Sequence, residues 1–213
     1  MAADYPTGSD NPFPCALQAA FGALGWAYRG CAAGKNRRMF VAGEDAGGNL
    51  AAALALMARD QGGPPLAGQI LLSPMLDPCL ATRSIRQADA GPVGWKWADG
   101  WHQYLGSADK ASHPYASPLS SSRLAGLPPA LVLTSDDDPM RDEALTYARR
   151  LRESGVSVED HVLPAPTLWP DALHQLETPA PAWVATVRRL FAAFLARTVP
   201  SPCAAAALRP IRT

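Results

Sequence analysis

The chain has 213 residues, a length that suits one domain with a substantial hydrophobic core. Its 19 basic and 19 acidic residues give a formal net charge of zero, so no electrostatic argument favours nucleic acid or an anionic membrane surface as a partner. No stretch reaches the length of a membrane span, and the first residues lack the pattern of a signal peptide. We therefore expect a cytoplasmic protein.

The four cysteines are far apart in the sequence and form no CxxC pair, and no histidine stands at metal-site spacing from them. They are Cys15, Cys31, Cys79 and Cys203. Free thiols in a reducing compartment explain this pattern, and we expect neither a metal site nor a cofactor.

Short apolar runs alternate with segments of helical periodicity along the chain. The runs predict strands at residues 39–42, 69–73, 130–134 and 156–163. The periodic segments predict helices at residues 15–29, 46–58, about 95–105 and about 140–154, and a last amphipathic helix from about residue 183. This alternation predicts an α/β fold, with four parallel strands in sequential order and helices on both faces. We expect residues 1–199 to form this single domain and residues 200–213 to be a disordered tail.

A tight corner joins the first predicted strand to the helix that follows it. The corner reads Gly43-Glu44-Asp45-Ala46-Gly47, which is G-x-S-x-G with aspartate in place of serine. In hydrolases with this turn, a strained corner exposes the nucleophile, and glycines two residues to either side give it room. The pattern therefore places Asp45 in the position of a nucleophile, with Gly43, Ala46 and Gly47 around it.

Several motifs together resemble the hormone-sensitive-lipase-like branch of the α/β-hydrolases, which are carboxylesterases that act on short acyl esters. The motifs are DY at residues 4–5, NPFP at 11–14, VAGEDAGGNL at 41–50, PYASPL at 114–119, LPPA at 127–130 and DPMRDE at 138–143. The resemblance extends from about Asp4 to about Phe194. It implies a partial α/β-hydrolase fold and, by lineage, a carboxylic ester hydrolase whose substrate would be a small acyl ester.

The same resemblance implies a Ser-His-Asp triad, in which serine attacks the carbonyl, histidine takes its proton and aspartate holds the imidazole. The acid corresponds to Asp138, but Asp45 stands at the serine position and Leu168 at the histidine position. The HGGG loop, whose backbone N–H groups bind the oxyanion in this family, would precede Asp4 and is not part of this sequence. We therefore expect the serine esterase route to be lost.

Other functions remain open. Asp45 can be a nucleophile, as in the related haloalkane dehalogenases and epoxide hydrolases, if a histidine activates the hydrolytic water, and His174 is placed suitably for that. The chain can also be a non-catalytic binding or structural module. Asp138 precedes Pro139 at a predicted helix start, so it can instead serve as the N-cap of that helix.

Two further expectations concern the surroundings of this corner. We expect the tryptophans at 95, 97 and 101 to pack in the loop layer, with an acyl pocket as the second reading. The strand between Met39 and Ala42 is apolar, and an open edge there predicts a homodimer, a partner chain or a short N-terminal cover.

Overall fold

The computed structural model describes residues 1–30, 38–88, 92–167 and 180–198. Within these residues, four parallel strands form one sheet in the order β1-β2-β3-β4. The strands are β1 (Phe40–Glu44), β2 (Gly68–Leu72), β3 (Ala130–Ser135) and β4 (Val158–Leu163). The helices are α1 (Cys15–Gly30), α2 (Asp45–Asp60), α3 (Arg83–Gln87), α4 (Pro92–Leu105), α5 (Arg141–Glu153) and α6 (Ala182–Arg197), with 3-10 turns at Ala108–Ser112 and Pro118–Ser120. The predicted fold class is confirmed.

Helices cover both faces of the sheet, and each face has its own hydrophobic core. On one face, side chains of α1, α2 and α5 pack against alternate strand residues such as Leu71 and Val132. On the other face, Trp183, Leu190 and Phe194 of α6 pack against the opposite set of strand residues. The two inner strands, β2 and β3, are therefore buried on both sides, which is why they read as continuous apolar runs in the sequence.

The corner is tighter than the sequence predicts. We expect a strand that ends at residue 42, followed by a turn containing both acids. Instead, β1 continues to Glu44 and α2 begins at Asp45, so no residue separates strand from helix. The structure also contains α3, a short helix that the sequence does not predict, and Thr82 caps it by accepting a hydrogen bond from the backbone N–H of Ile85.

The predictions on free thiols, membrane-spanning helices and the C-terminal tail can be compared with the described residues. Cys15 and Cys79 are free thiols, and the other two cysteines lie outside the described residues. None of the helices in the described ranges has the length and apolar character needed to cross a bilayer. The predicted tail at 200–213 also lies outside these ranges.

β1 is an edge strand of the described sheet, since it pairs with β2 on one side only. Val41 is buried, but Ala42 is exposed. A paired or covered edge stays a prediction from the sequence.

If another chain or segment covers this edge, the backbone amides of Phe40–Glu44 will exchange slowly with deuterium and light scattering will report a dimer or larger complex. The amides of Gly68–Leu72, which lie inside the sheet, are the internal control. A monomer whose β1 amides exchange much faster than those of β2 would contradict the prediction.

Candidate functional site

Asp45 lies at the corner between β1 and α2 in a strained backbone conformation. Its φ is 50°, in the left-handed region that non-glycine residues rarely adopt, and the cost of such a conformation is about 1–3 kcal/mol. The carbonyl of Asp45 accepts a hydrogen bond of 3.1 Å from the backbone N–H of Met75, which ties the corner to the chain beyond β2. The side chain is half-buried and stands in the first turn of α2, where the helix dipole favours a negative charge.

The room at this corner comes from Gly43 and Gly48. A Cβ on Gly43 would overlap the carbonyl of Gly47, and a Cβ on Gly48 would lie 2.8 Å from Cβ of Pro74. A Cβ on Gly47 would meet only the Tyr5 hydroxyl, at 4.0 Å. The expectation that Gly47 provides the room is therefore wrong, because its missing side chain faces open space near Tyr5 while Gly48 faces the chain after β2.

The Asp45 side chain faces a cavity of about 340 Å³ between α2, α4 and the N-terminal segment. Much of its wall is aromatic: Tyr5, Trp97, Trp101 and Tyr104 line it. Apolar residues complete much of the rest, including Ala16, Leu50 and Met75. This size and lining are typical of pockets that hold small molecules. Trp101 is both a core residue and part of the wall, so the prediction that it packs is confirmed, and an acyl pocket stays a prediction.

Two tyrosine hydroxyls of the cavity have raised pKa values, and the charge of Asp45 contributes to that of Tyr5. The pKa of Tyr5 is raised, mainly by burial and then by the negative charges of Asp45 and Asp4. The pKa of Tyr104 is also raised, chiefly by burial and to a lesser extent by Tyr5. Both phenols therefore stay protonated at neutral pH.

Three buried polar atoms of cavity residues have no hydrogen-bond partner among the described residues. They are Oδ1 of Asn49, Nε1 of Trp101 and the hydroxyl of Tyr104. The amide nitrogen of Asn49, by contrast, donates to the carbonyls of Met75 and Ala116 at 2.9 and 3.0 Å. Asn49 thus holds the cavity wall in place through its nitrogen.

Asp138 is buried at the carboxyl ends of β2 and β3. Its carboxylate accepts hydrogen bonds from the hydroxyls of Ser73 and Thr134, and from the backbone N–H of Met140 at 2.8 Å. Burial raises its pKa, the three hydrogen bonds oppose that rise, and the nearby charge of Asp137 adds to it. The N-cap position of α5 is Met140 and not Asp138, although the carboxylate still binds the start of that helix.

The neighbouring Asp137 binds the segment that follows β4. Its carboxylate accepts hydrogen bonds from the backbone N–H and the hydroxyl of Thr167, at 2.7 and 2.5 Å, and from the hydroxyl of Ser135 at 2.7 Å. It therefore fastens the segment after β4 to the end of β3.

Glu143 is a second buried carboxyl beside this cluster. The backbone N–H groups of Leu76 and Asp77 donate to it at 3.2 and 3.1 Å. Burial raises the pKa of Glu143 to about 8, the charges of Asp77 and Asp138 add to the rise, and the two backbone hydrogen bonds oppose it. Its side chain is held by α5 against the loop that follows β2.

The predicted site residues are thus divided among separate places. Asp45 and Ala46 line the cavity, whereas Asp138 lies in its own cluster with Ser73 and Thr134. His174 and Leu168 lie outside the described residues. The acids that the sequence groups together after β3 face different partners, and no cluster that could hold a metal ion occurs in the described ranges.

Sequence reasoning missed Tyr5, Asn49 and Tyr104 as cavity residues. For α4 a signal was available: Trp97, Trp101 and Tyr104 are spaced so that they share one helical face. For Tyr5 and Asn49 the sequence offers no such pattern.

Comparison with known proteins finds members of the α/β-hydrolase fold. A sequence profile of the α/β-hydrolase fold matches residues 1–167. Carboxylesterase NlhH of Mycobacterium tuberculosis is 36% identical over 166 residues, which cover 75% of this chain and 52% of that protein. A gibberellin receptor of Arabidopsis thaliana, GID1A, is 31% identical over 173 residues, covering 75% of this chain and 49% of the receptor. Among solved structures, a bacterial heroin esterase has a TM-score of 0.75 at 31% identity, over 93% of this chain and 64% of that one. The chain spans about half the length of the curated relatives it matches.

The crowding at the corner gives a matched pair of variants. Gly48→Ala should destabilise the protein by about 1–3 kcal/mol, because the new methyl group has no space against Pro74. Gly47→Ala should be neutral or slightly stabilising, because the site is open and alanine favours helix. Urea unfolding of both variants measures the difference; equal stabilities would show that Gly48 is not the crowded position.

The buried Glu143 predicts how stability depends on pH. Its pKa is raised in the folded state, so its contribution is fully present below the unfolded value of 4.5 and is lost as pH rises through about 8. The loss cannot exceed about 1.4 kcal/mol per pH unit for one group. Glu143→Gln should flatten the decline of unfolding free energy between these pH values, leaving the part that Asp138 contributes in the same direction. Urea unfolding at several pH values measures this decline, and an equal decline in the variant and the wild type would contradict the prediction.

Proposed function

Because this chain belongs to the carboxylesterase family of α/β-hydrolases, we propose that its cavity binds a small acyl ester, or a molecule of similar shape, without cleaving it by the serine route. The observation that carries this proposal is the Asp45 side chain at the cavity, on a corner that would otherwise present a serine hydroxyl. The cavity supports binding and the carboxylate opposes the ancestral chemistry.

A carboxylate at position 45 is unsuited to ester cleavage for two reasons. Its attack on an ester carbonyl would expel an alkoxide and leave an acyl anhydride, which is a more reactive acyl group than the ester it came from. Its negative charge also lies beside the place where negative charge develops on the carbonyl oxygen, and a site that catalyses acyl transfer needs hydrogen-bond donors there.

The surroundings of Asp138 support the same conclusion. Both acceptor positions of its Oδ2 are taken by Ser73 and Thr134, and Oδ1 is bound to the start of α5. These contacts join β2, β3 and α5, so Asp138 contributes to the fold through residues that the structure describes. Leu168 stands where the family would place the histidine, which leaves the carboxyl no imidazole to orient at that position.

The relatives support a binding role for this fold. Esterases and a gibberellin receptor both match the chain at 31–36% identity over comparable lengths. The name of the receptor describes recognition of a small molecule rather than its conversion. A member of this family that keeps the cavity and loses the serine route is therefore chemically reasonable.

A second candidate, in which Asp45 is the nucleophile of a dehalogenase-like or epoxide-hydrolase-like reaction, is favoured by one observation. Asp45 combines a strained backbone with a place on the cavity wall, and a residue held in this way is often functional. That reaction attacks an alkyl carbon and forms an ester on Asp45, which water then hydrolyses with His174 as the base.

Hydrolysis assays separate these functions. With p-nitrophenyl acetate, the wild-type protein should show no turnover above that of Asp45→Asn, because neither holds a hydroxyl nucleophile. With a haloalkane or an epoxide, the second candidate requires turnover that disappears in Asp45→Asn and in His174→Ala. Ester turnover of ordinary efficiency in the wild type, lost in Asp45→Asn, would overturn the proposal.

A restoration experiment tests whether the residues at positions 45 and 168 account for the proposed loss of ester hydrolysis. The double variant Asp45→Ser with Leu168→His replaces both missing groups and should gain ester hydrolysis that neither single variant shows. Thermal unfolding of all three variants controls for loss of structure. A folded and inactive double variant would show that the two replaced groups are not the decisive difference.

A further inference from the structure

One side of the cavity is formed by part of the N-terminal segment, which we call the strap and define as residues 4–11. The opposite sides come from the first turns of α2 and from α4. The strap contributes five residues to the lining, which are Tyr5, Pro6, Thr7, Gly8 and Asn11. Since the strap lies outside every helix and strand of the described residues, the hydrogen bonds of regular structure do not hold it in place.

The C-terminal end of the strap is fixed to the body of the protein. Directly after it, the backbone N–H of Phe13 donates to the carbonyl of Tyr104, and the ammonium group of Lys110 donates to the carbonyl of Phe13 at 3.0 Å. Phe13 is buried, and its ring packs edge to face on that of Tyr104 with centroids 5.9 Å apart. Pro12 occupies the space beside Gly106, where a Cβ would lie 2.6 Å from Cβ of Pro12. Pro12 and Phe13 therefore form a fixed base for the strap.

The rest of the strap is held less firmly. Among the described residues, the hydrogen bonds of residues 1–10 run only to Asn11, whose backbone N–H donates to the carbonyl of Gly8 at 3.0 Å and whose side-chain amide donates to the carbonyl of Thr7 at 3.3 Å. Gly8 has a φ of 83°, which suits glycine and allows this turn. Residues 7–10 are exposed. Moving the turn as a unit therefore breaks no hydrogen bond to the rest of the described chain.

Tyr5 is the residue through which the strap contacts α2. Its side chain is partly buried and packs against the hydrophobic core, and its hydroxyl oxygen lies 4.0 Å from the place where Gly47 would carry a Cβ. This hydroxyl makes no hydrogen bond to a residue in the described ranges, so burial of the ring is what holds the strap against α2. One partly buried ring is a weak attachment compared with the fixed base at Phe13.

From this arrangement we propose that the strap is a gate of the cavity, which opens by turning about Asn11 and Pro12 and closes when the Tyr5 ring returns to its place beside α2. In the closed state the strap separates a bound molecule from water. In the open state a molecule enters or leaves between the strap and α2. A gate of this kind controls access for any small molecule, whether or not the ligand is an ester.

Thiol labelling measures access to the cavity without any ligand. Leu50 lines the cavity and is 6% exposed, whereas Leu56, on the same helix, is 1% exposed and is not among the lining residues. Leu50→Cys therefore reports opening of the strap, and Leu56→Cys is the matched control for unfolding. Both thiols fall in the tryptic peptide 39–59, which contains no native cysteine, so mass spectrometry separates them from the natural thiols. The reagent is methyl methanethiosulfonate, which is small and uncharged.

The gate predicts how changes in the strap alter the labelling rates. Tyr5→Ala should raise the rate at Leu50→Cys about tenfold, because the open state becomes more populated, and should leave Leu56→Cys nearly unchanged. Tyr5→Phe keeps the ring, and Ser9→Ala changes an exposed strap residue outside the lining, so neither should alter the rate at Leu50→Cys. An equal rise at both thiols, no rise at Leu50→Cys, or an equal rise with Tyr5→Phe would overturn the gate.

Urea gives a second measurement, in which the strap is left unaltered. Opening the strap exposes little surface, so the labelling rate of Leu50→Cys should hardly change with urea below the unfolding transition. The rate of Leu56→Cys should rise steeply, because unfolding exposes much more surface. An equal dependence of the two rates on urea would show that only unfolding opens the cavity, and would overturn the gate. Selective labelling of Leu50→Cys in a protein that binds no phenyl acetate would support the gate and overturn the proposed function.

Discussion

The architecture of this protein depends on one steric constraint, which is the direct passage from β1 into α2. A side chain at Gly43 would overlap the next turn of backbone, and a side chain at Gly48 would strike the chain after β2. With both absent, the helix starts at the residue directly after the strand and its first turn lies at the carboxyl end of the sheet. The hydrogen bond from Met75 to the Asp45 carbonyl fixes the corner against its neighbour. The part of the cavity wall that α2 supplies follows from this placement.

The carboxyl ends of the four strands carry several acids, and the fold uses each one differently. Asp45 faces the cavity, Asp138 joins strands to a helix, and Asp137 holds the segment that follows β4. Glu143 is buried and accepts hydrogen bonds from two backbone N–H groups. Burial is the largest influence on the pKa values of Asp138 and Glu143, and it keeps their protons on to higher pH than in an exposed carboxyl. Hydrogen bonds to each carboxyl oppose the effects of burial and of the neighbouring negative charges.

Much of the fold was predictable because β2 and β3 are buried on both faces and the helices have clear periodicity. The order of the sheet and the position of Asp45 follow from these patterns together with the glycine corner. The walls of the cavity were harder to predict, because Tyr5 reaches it through tertiary packing from a segment without periodicity. Gly47 and Gly48 are also indistinguishable in sequence, and only the packing of Pro74 shows which of them must lack a side chain.

The close packing of α2 has a consequence for how this protein can evolve. Ala52, Ala53 and Ala55 are completely buried, so the helix lies close to its neighbours and has no room for larger side chains. The part of the cavity wall that α2 supplies should therefore tolerate few substitutions. Trp97 and Tyr5 are only partly buried, and they belong to elements that can change without disturbing the sheet. New ligand preferences in descendants of this chain should arise on that side first, while the corner that bears the carboxylate is inherited unaltered.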